Sequence, residues 1–326
     1  MSGKVASIDL SLENLWRSWC AYKKGKESSH ALDQFRFHLE AELFNLYKDL
    51  KDGNYHHGSY RRFIVCDNKR REISVTAMRD RVVHRLLYDY LVAIYDKTFL
   101  YDVWSCRKDK GLVAGIERTQ QFFRSFPAAY VWRSDIQKFF DSVDHQVLLR
   151  ILSFRVKDEQ ALSILREIIA SYSSKPMTKV GIPIGNLTSQ IFANIYLHEL
   201  DHFIKHSIKP LRYLRYGDDF ILLEKDLHKL KHYKDQITRF LENDLHLKIN
   251  TKNDVIRKIK QGLKFLGVVI YPGGRKLNRR NEKRISRNLE INNSSSYWGL
   301  VQKHGNIKGK KLFAWVMWVM LDKLSL

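Results

Sequence analysis

Cysteine is scarce. Cys20, Cys66 and Cys106 are odd in number and widely spaced among the 326 residues, and none forms the C-x-x-C pair on which a structural zinc site is built. They read as reduced thiols in a cytoplasmic protein. Long apolar runs are also missing. The opening MSGKVASIDLSLENLW has no basic stretch followed by an apolar one, so no signal peptide is expected. The longest apolar patch, LFAWVMWVML near the C-terminus, falls short of the roughly 20 residues a bilayer requires. It reads as a buried terminal helix, and no membrane partner is expected. Acid is in short supply as well: 35 Asp plus Glu face 57 Lys plus Arg, a formal charge of +22. Such a chain needs a polyanionic partner or must tolerate strong self-repulsion. Nucleic acid is the first candidate, although a basic structural protein would share the imbalance.

What is present is enough to fold. An apolar fraction of 44% with 12% aromatics lies far from the composition of disorder. Leu32, Phe35, Leu39, Leu43 and Leu46 recur at helical spacing between His30 and Leu50, with Gly53 as terminator. YRRFIVC and REISV around Asp67-Asn68 read as a basic hairpin, and Arg79 to Tyr95 as a helix. A further helix starts at Gly111, and Ala129 to Ile136 switches to a strand pattern. Asp144 to Leu152 and Glu159 to Tyr172 read as helices, and PIGNLTSQIFANIYLHELDHFI as a loop entering a long one. Two hairpins follow, LRYLRY with FILLE around Gly217-Asp218, and DVIRKIK with KFLGVVIY around Gln261-Gly262, separated by a helix over about residues 227–243. From Lys276 the chain turns basic and helical.

Two of these strands present acids to one point: Asp135 ends the first, and Asp218-Asp219 occupy a hairpin tip. Phosphoryl transfer to a nucleotide uses two divalent cations about 4 Å apart, one activating the attacking hydroxyl and one holding the leaving group. Magnesium prefers carboxylate, phosphate and water oxygens, which a cluster of strand-end aspartates supplies. Alone, an Asp-Asp turn is an ordinary turn sequence.

It does not stand alone. KRREISVTAMRDRVVHRLL, DVWSCRKDKGLVAGIERTQ, DIQKFFDSVDH, GIPIGNLTSQIFANIYL, RYGDDF, LKINTKN and KFLG occur in that order, and from about residue 60 to residue 270 the chain resembles the reverse transcriptase family. The resemblance implies an α+β right-hand polymerase fold: a helical extension over 1–58, fingers over 59–128, a palm with an antiparallel sheet over 129–275, and a helical thumb over 276–326. It implies that Asp135 and Asp218 ligate two magnesium ions, for which manganese can substitute, with Asp219 as third acid and Ile136 lending a backbone carbonyl. Phe140 falls at the steric gate that selects deoxynucleotides, its neighbour Phe139 being the other aromatic at this point. Arg71 and Arg79 match positions facing the incoming triphosphate, where planar guanidinium groups suit phosphate. Ile184 and Gly185 belong to the nucleotide loop, Lys252 is a candidate general acid near the pyrophosphate, and Phe265, Leu266 and Gly267 match the primer grip. Asp144 reads as a helix N-cap.

Ile184-Gly185 and Ser189-Gln190 stand where retroviral-type enzymes carry Gln and Ser-Pro. That pattern resembles the error-prone enzymes of diversity-generating retroelements, and Ile184 offers no polar contact to the nucleotide sugar. Group II intron-like, CRISPR-associated and antiphage-defence enzymes share close variants of the loop, and Gly217 departs from the Met usual in diversity-generating members, so the subgroup stays open. No maturase, endonuclease or ribonuclease H pattern follows the thumb, and the chain is expected to polymerise only. The implied partners are an RNA template, a DNA or RNA primer and deoxynucleoside triphosphates, joined by a small basic accessory protein if the element generates diversity.

Overall fold

The computed structural model describes residues 7–66, 70–290, 293–305 and 307–322. Three helices come first: α1 (Leu12–Lys23), α2 (His30–Phe37) and α3 (Leu39–Lys51). Ser11 and Ser29 cap the first two, each hydroxyl accepting from the N–H three residues on. The single helix expected over 30–50 is broken at His38, whose φ of −103° and ψ of 19° leave the helical well. The break lets Phe35 on one segment and Leu43, Leu46 and Leu50 on the other all reach the core. β1 (Arg61–Cys66) and β2 (Arg70–Val75) form the expected antiparallel hairpin, Arg61 opposite Val75. Its expected turn at Asp67-Asn68 lies outside the described residues.

Next come α4 (Met78–Tyr95), α5 (Leu112–Ser125), β3 (Tyr130–Ser134), the single turn α6 (Phe139–Ser142), α7 (His145–Arg155), α8 (Glu159–Ala170) and α9 (Leu187–Phe203). Asp144 caps α7 as expected, accepting from the N–H groups of Gln146 and Val147. β4 (Arg212–Tyr216), β5 (Asp219–Glu224), α10 (Leu227–Asp244) and β6 (Val255–Lys258) complete the central layer. Its four strands run in the order β4-β5-β3-β6, every neighbouring pair antiparallel.

The period-2 alternation of this sheet feeds two cores. Trp132, Phe220 and Leu222 face one side, in a cluster shared with α9, α10 and the N-terminal helices. Val131, Leu214, Ile221 and Leu223 face the other, against Ile116, Phe122 and Phe123 of α5. Both faces are therefore covered, and the functional ends of the strands lie between the two cores.

The second expected hairpin is corrected. β6 does not pair with the following strand; it joins the central sheet, Ile256 opposite Trp132. A tight turn over Ile259–Gln261 and a left-handed Gly262 (φ 77°) then take the chain out of that sheet. A Cβ at Gly262 would overlap the Tyr271 ring. β7 (Leu263–Phe265), β8 (Val268–Tyr271) and β9 (Gly274–Leu277) form a separate antiparallel sheet, with Leu266-Gly267 as the β7–β8 turn. The basic tail forms α11 (Arg279–Asn288), α12 (Ser294–His304) and α13 (Ile307–Asp322). The apolar patch is helical as expected but not buried: Phe313 packs on Trp298, whereas Trp315 and Trp318 are 62% and 63% exposed. A helix apolar on most sides meets protein here along one of them. Among the described residues no helix is long and apolar enough to cross a membrane.

Candidate active site

Asp135 and Asp219 meet because β3 and β5 are antiparallel neighbours. Ser134 pairs with Phe220, so the next step along each strand brings Asp135 beside Asp219, with Asp218 in the turn. Gly217 makes that turn possible with a left-handed φ of 63°, and a Cβ there would meet only the Ser105 hydroxyl, at 3.9 Å. Burial raises the Asp219 carboxyl to about 6; the Arg133 guanidinium pulls it down, and the charges of Asp135 and Asp218 push it up. Three acids thus feel one another at the sheet end.

A second segment braces them. The backbone N–H of Asn250 donates to the Asp135 carbonyl, and that of Gln137 to the Lys248 carbonyl, laying LKINTKN across the end of β3. Asn253 Nδ2 donates to Asp135 Oδ2 at 2.6 Å, and the Trp132 indole donates to Asp254. Arg133 bonds both oxygens of Asp219, at 2.9 and 2.8 Å. From below, the fully buried Arg215 pairs with Asp201 and donates to the Gly217 carbonyl at 2.9 Å. Arg133, Asn253, Arg215 and Asp201 were not among the residues expected at the site. For Arg133 a signal existed: two residues before Asp135, it lies on the same strand face.

Around this point the other expected residues divide. Phe140 is half-buried while Phe139 is 3% exposed and packed on Tyr196, which distinguishes the two aromatics. Ile184 is half-buried, and its carbonyl accepts from Ser74 of β2. Gly185 beside it is left-handed, and a Cβ there would lie 2.7 Å from Ile73. Asn186 Nδ2 donates to the Ser74 carbonyl, so the loop is docked on the strand that carries Arg71. Arg71 and Lys252 are exposed. Arg79, expected to face the incoming triphosphate, pairs with Asp49 of α3 and lies over the Tyr55 ring. Its planar group is taken up in packing the N-terminal helices onto α4. Phe265 is buried, and Leu266 and Gly267 are both left-handed (φ 49° and 84°), the combination a tight two-residue hairpin requires.

The acids suit a hard divalent cation. Asp135 Oδ1 is buried without a hydrogen-bond partner, which is costly unless something else satisfies it. No group of three or more His, Cys, Asp or Glu side chains is assembled for a metal among the described residues, and Arg133 holds both oxygens of Asp219. The fit is to magnesium bound through one or two carboxylates, its shell completed by phosphate and water.

Residues 55–270 match the family model described as reverse transcriptase (RNA-dependent DNA polymerase). Curated relatives include the group II intron-encoded protein LtrA of Lactococcus lactis, 22% identical over 70% of this chain and 49% of its own length. An uncharacterized 91 kDa protein in the cob intron of Schizosaccharomyces pombe is 30% identical over 49% of this chain and 20% of its own length. Protein YkfC of Escherichia coli is 24% identical over 76% and 75%. The chain thus spans from a fifth to about half of the first two. Among solved structures, apo telomerase from Candida tropicalis superposes with a TM-score of 0.55 at 12% identity over 92% of this chain and 60% of that one. Telomerase from Candida albicans, in complex with a fragment of telomeric RNA, gives 0.53 at 14% over 80% and 57%. At such identity the likeness establishes the right-hand polymerase fold. With the family model covering most of its length, this chain belongs to the reverse transcriptase family.

Proposed function

We propose that the protein extends a DNA or RNA primer along an RNA template by two-metal phosphoryl transfer, and that it does so as the error-prone enzyme of a diversity-generating retroelement. The observation that carries the chemistry is the buried, unpartnered Asp135 Oδ1 beside Asp218 and Asp219. Asp135 and Asp218 hold the cations, with the Ile136 carbonyl, and Asn253 fixes the rotamer of Asp135 by taking its other oxygen. Two magnesium ions, when bound, supply the lowered pKa of the primer hydroxyl and the charge that steadies the leaving pyrophosphate. Arg71 meets the triphosphate from the β1–β2 hairpin, Phe140 lies under the sugar, and Ile184-Gly185 bound the base pair. Lys252 stands near the pyrophosphate as proton donor, and the Phe265–Gly267 turn seats the primer. The chain divides as 1–58, 59–128 (fingers), 129–275 (palm) and 276–326 (thumb).

The retroelement setting rests on the IGNLTSQ loop. Likeness to group II intron-encoded proteins favours a second setting, an intron-like, CRISPR-associated or defence enzyme with the same chemistry. Purified protein given an RNA template, annealed DNA primer, Mg²⁺ and deoxynucleotides should extend the primer. Asp218→Asn should abolish extension and leave template–primer binding intact. Extension that survives loss of Asp135 and Asp218 together would refute the mechanism. Sequencing the products decides the setting: errors concentrated at template adenines support diversity generation, and a faithful enzyme supports the alternatives.

A further inference from the structure

Arg133 leaves β3 on the same face as Asp135, and its planar group is shared between two further strands. Nε and Nη2 donate to the two Asp219 oxygens at the start of β5. Nη1 donates to the Lys264 carbonyl in β7 at 2.8 Å. The guanidinium carbon also lies 5.9 Å from the Phe265 ring centre. The directions of a guanidinium fork are fixed, so β7 cannot shift without breaking the Nη1 bond or dragging Asp219 along. The pair is largely desolvated, Arg133 being 19% and Asp219 18% exposed, so these bonds meet little competition from water.

The β7–β8 turn is gripped from the other side as well. Leu266 adopts a left-handed φ that a leucine disfavours, and such strain persists only where the surroundings over-determine it. Asn281 Nδ2 donates to the Gly267 carbonyl at 2.9 Å. β7 is thus held by Arg133, and the turn that follows it by α11.

We infer that Arg133 is a positioning residue that ties the primer-seating turn to the catalytic turn, with Asp219 serving as its anchor rather than as a third metal ligand. One side chain then sets both where the primer end rests and where the acid beside the metal ligands stands. The inference rests on the polymerase reading for the identity of the duplex.

The test needs no divalent cation. The full chain is titrated, in EDTA, with an RNA template annealed to a DNA primer ending in 2-aminopurine, reading affinity by anisotropy and primer-end placement by 2-aminopurine fluorescence. Arg133→Gln should weaken binding about tenfold, the size expected when a residue that does not touch the ligand displaces a segment that does, and should change the fluorescence. Asp219→Asn, which keeps an acceptor oxygen, should cost about threefold or less. The double variant should be no worse than Arg133→Gln, because the two residues act through one contact. Wild-type affinity and fluorescence in a folded Arg133→Gln, or additive losses in the double variant, would overturn the inference. Should Arg133→Gln fail to fold, Arg133→Lys retains the charge without the fork and should show an intermediate loss; wild-type behaviour there would overturn it equally. Coupling in binding from a protein that never extends primers would reject the polymerase reading alone. Extension without coupling would reject the role of Arg133 alone.

Discussion

Arg215 and Asp201 expose no side-chain surface, and their pairing carries a large, measurable consequence. Arg215 Nε and Nη2 donate to the two Asp201 oxygens at 2.7 and 2.6 Å, Nη1 to Asn194 Oδ1 and the Gly217 carbonyl, and the Tyr213 hydroxyl also donates to Asp201. Asp201→Ala removes the carboxylate bonded to this buried guanidinium. Breaking such a pair from one side costs about 3–5 kcal/mol, and orphaning the Tyr213 hydroxyl adds about 1 kcal/mol. Against a total stability on the order of 5–15 kcal/mol, the loss should move a urea midpoint far down without changing the slope. Asp201→Leu with Arg215→Met removes the uncompensated charge and should recover much of the loss. That double variant should nevertheless extend primers poorly, since the Arg215 donor to the Gly217 carbonyl is gone. An Asp201→Ala cost below about 1 kcal/mol, or a double variant as unstable as the sum of the singles, would refute the reasoning.

Burial lowers His84 to about 3 and His198 to about 4, so the fold holds both neutral while the unfolded chain protonates them below about 6.5. Their contribution is complete above that pH and is lost as pH falls, about 2 kcal/mol each by pH 5. Asp219, raised to about 6, works in the opposite direction but shifts less. Urea midpoints should therefore drop between pH 7 and pH 5, and His198→Leu should flatten the trend; a pH-independent midpoint contradicts the burial argument. Phe140→Ala should admit ribonucleotides, seen as a rise in ribonucleotide incorporation relative to deoxynucleotide, whereas Phe139→Ala, which empties a core site, should lower stability by about 3–5 kcal/mol. Ile184→Gln should lower errors opposite template adenine more than opposite other bases, because about 1.4 kcal/mol of added discrimination is tenfold in error ratio. Equal error spectra from one copied RNA would remove Ile184 from the fidelity argument.

Much of the architecture was legible because local pattern and tertiary demand agree. The alternation in FILLE places Phe220 and Leu222 in one core and Ile221 and Leu223 in the other, and the Asp144 cap fell where an Asx residue precedes an apolar helical run. Reading failed where the decision was non-local. β6 and β7 each look like half of a hairpin, yet β6 pairs with the central five-residue β3 over four positions and leaves its three-residue neighbour to another sheet. Helical periodicity runs unbroken through His38, yet the backbone leaves the helix there.

The site shows the same division more sharply. The three acids could be brought together from sequence because a turn and a strand end fix their positions locally. The cations around them could not, since a guanidinium reaches far and its role depends on what it reaches. Arg79 and Arg133 look alike in sequence, each an arginine near a motif. One bonds Asp49, 30 residues away, and fastens a helical layer. The other bonds Asp219 and Lys264, 86 and 131 residues away, and stands beside the turn that carries Asp218. A fork with fixed donor directions distinguishes these two fates only once the partners are in place. A basic residue at a candidate site is therefore best assigned by the acceptors it meets, and motif position is the weaker guide.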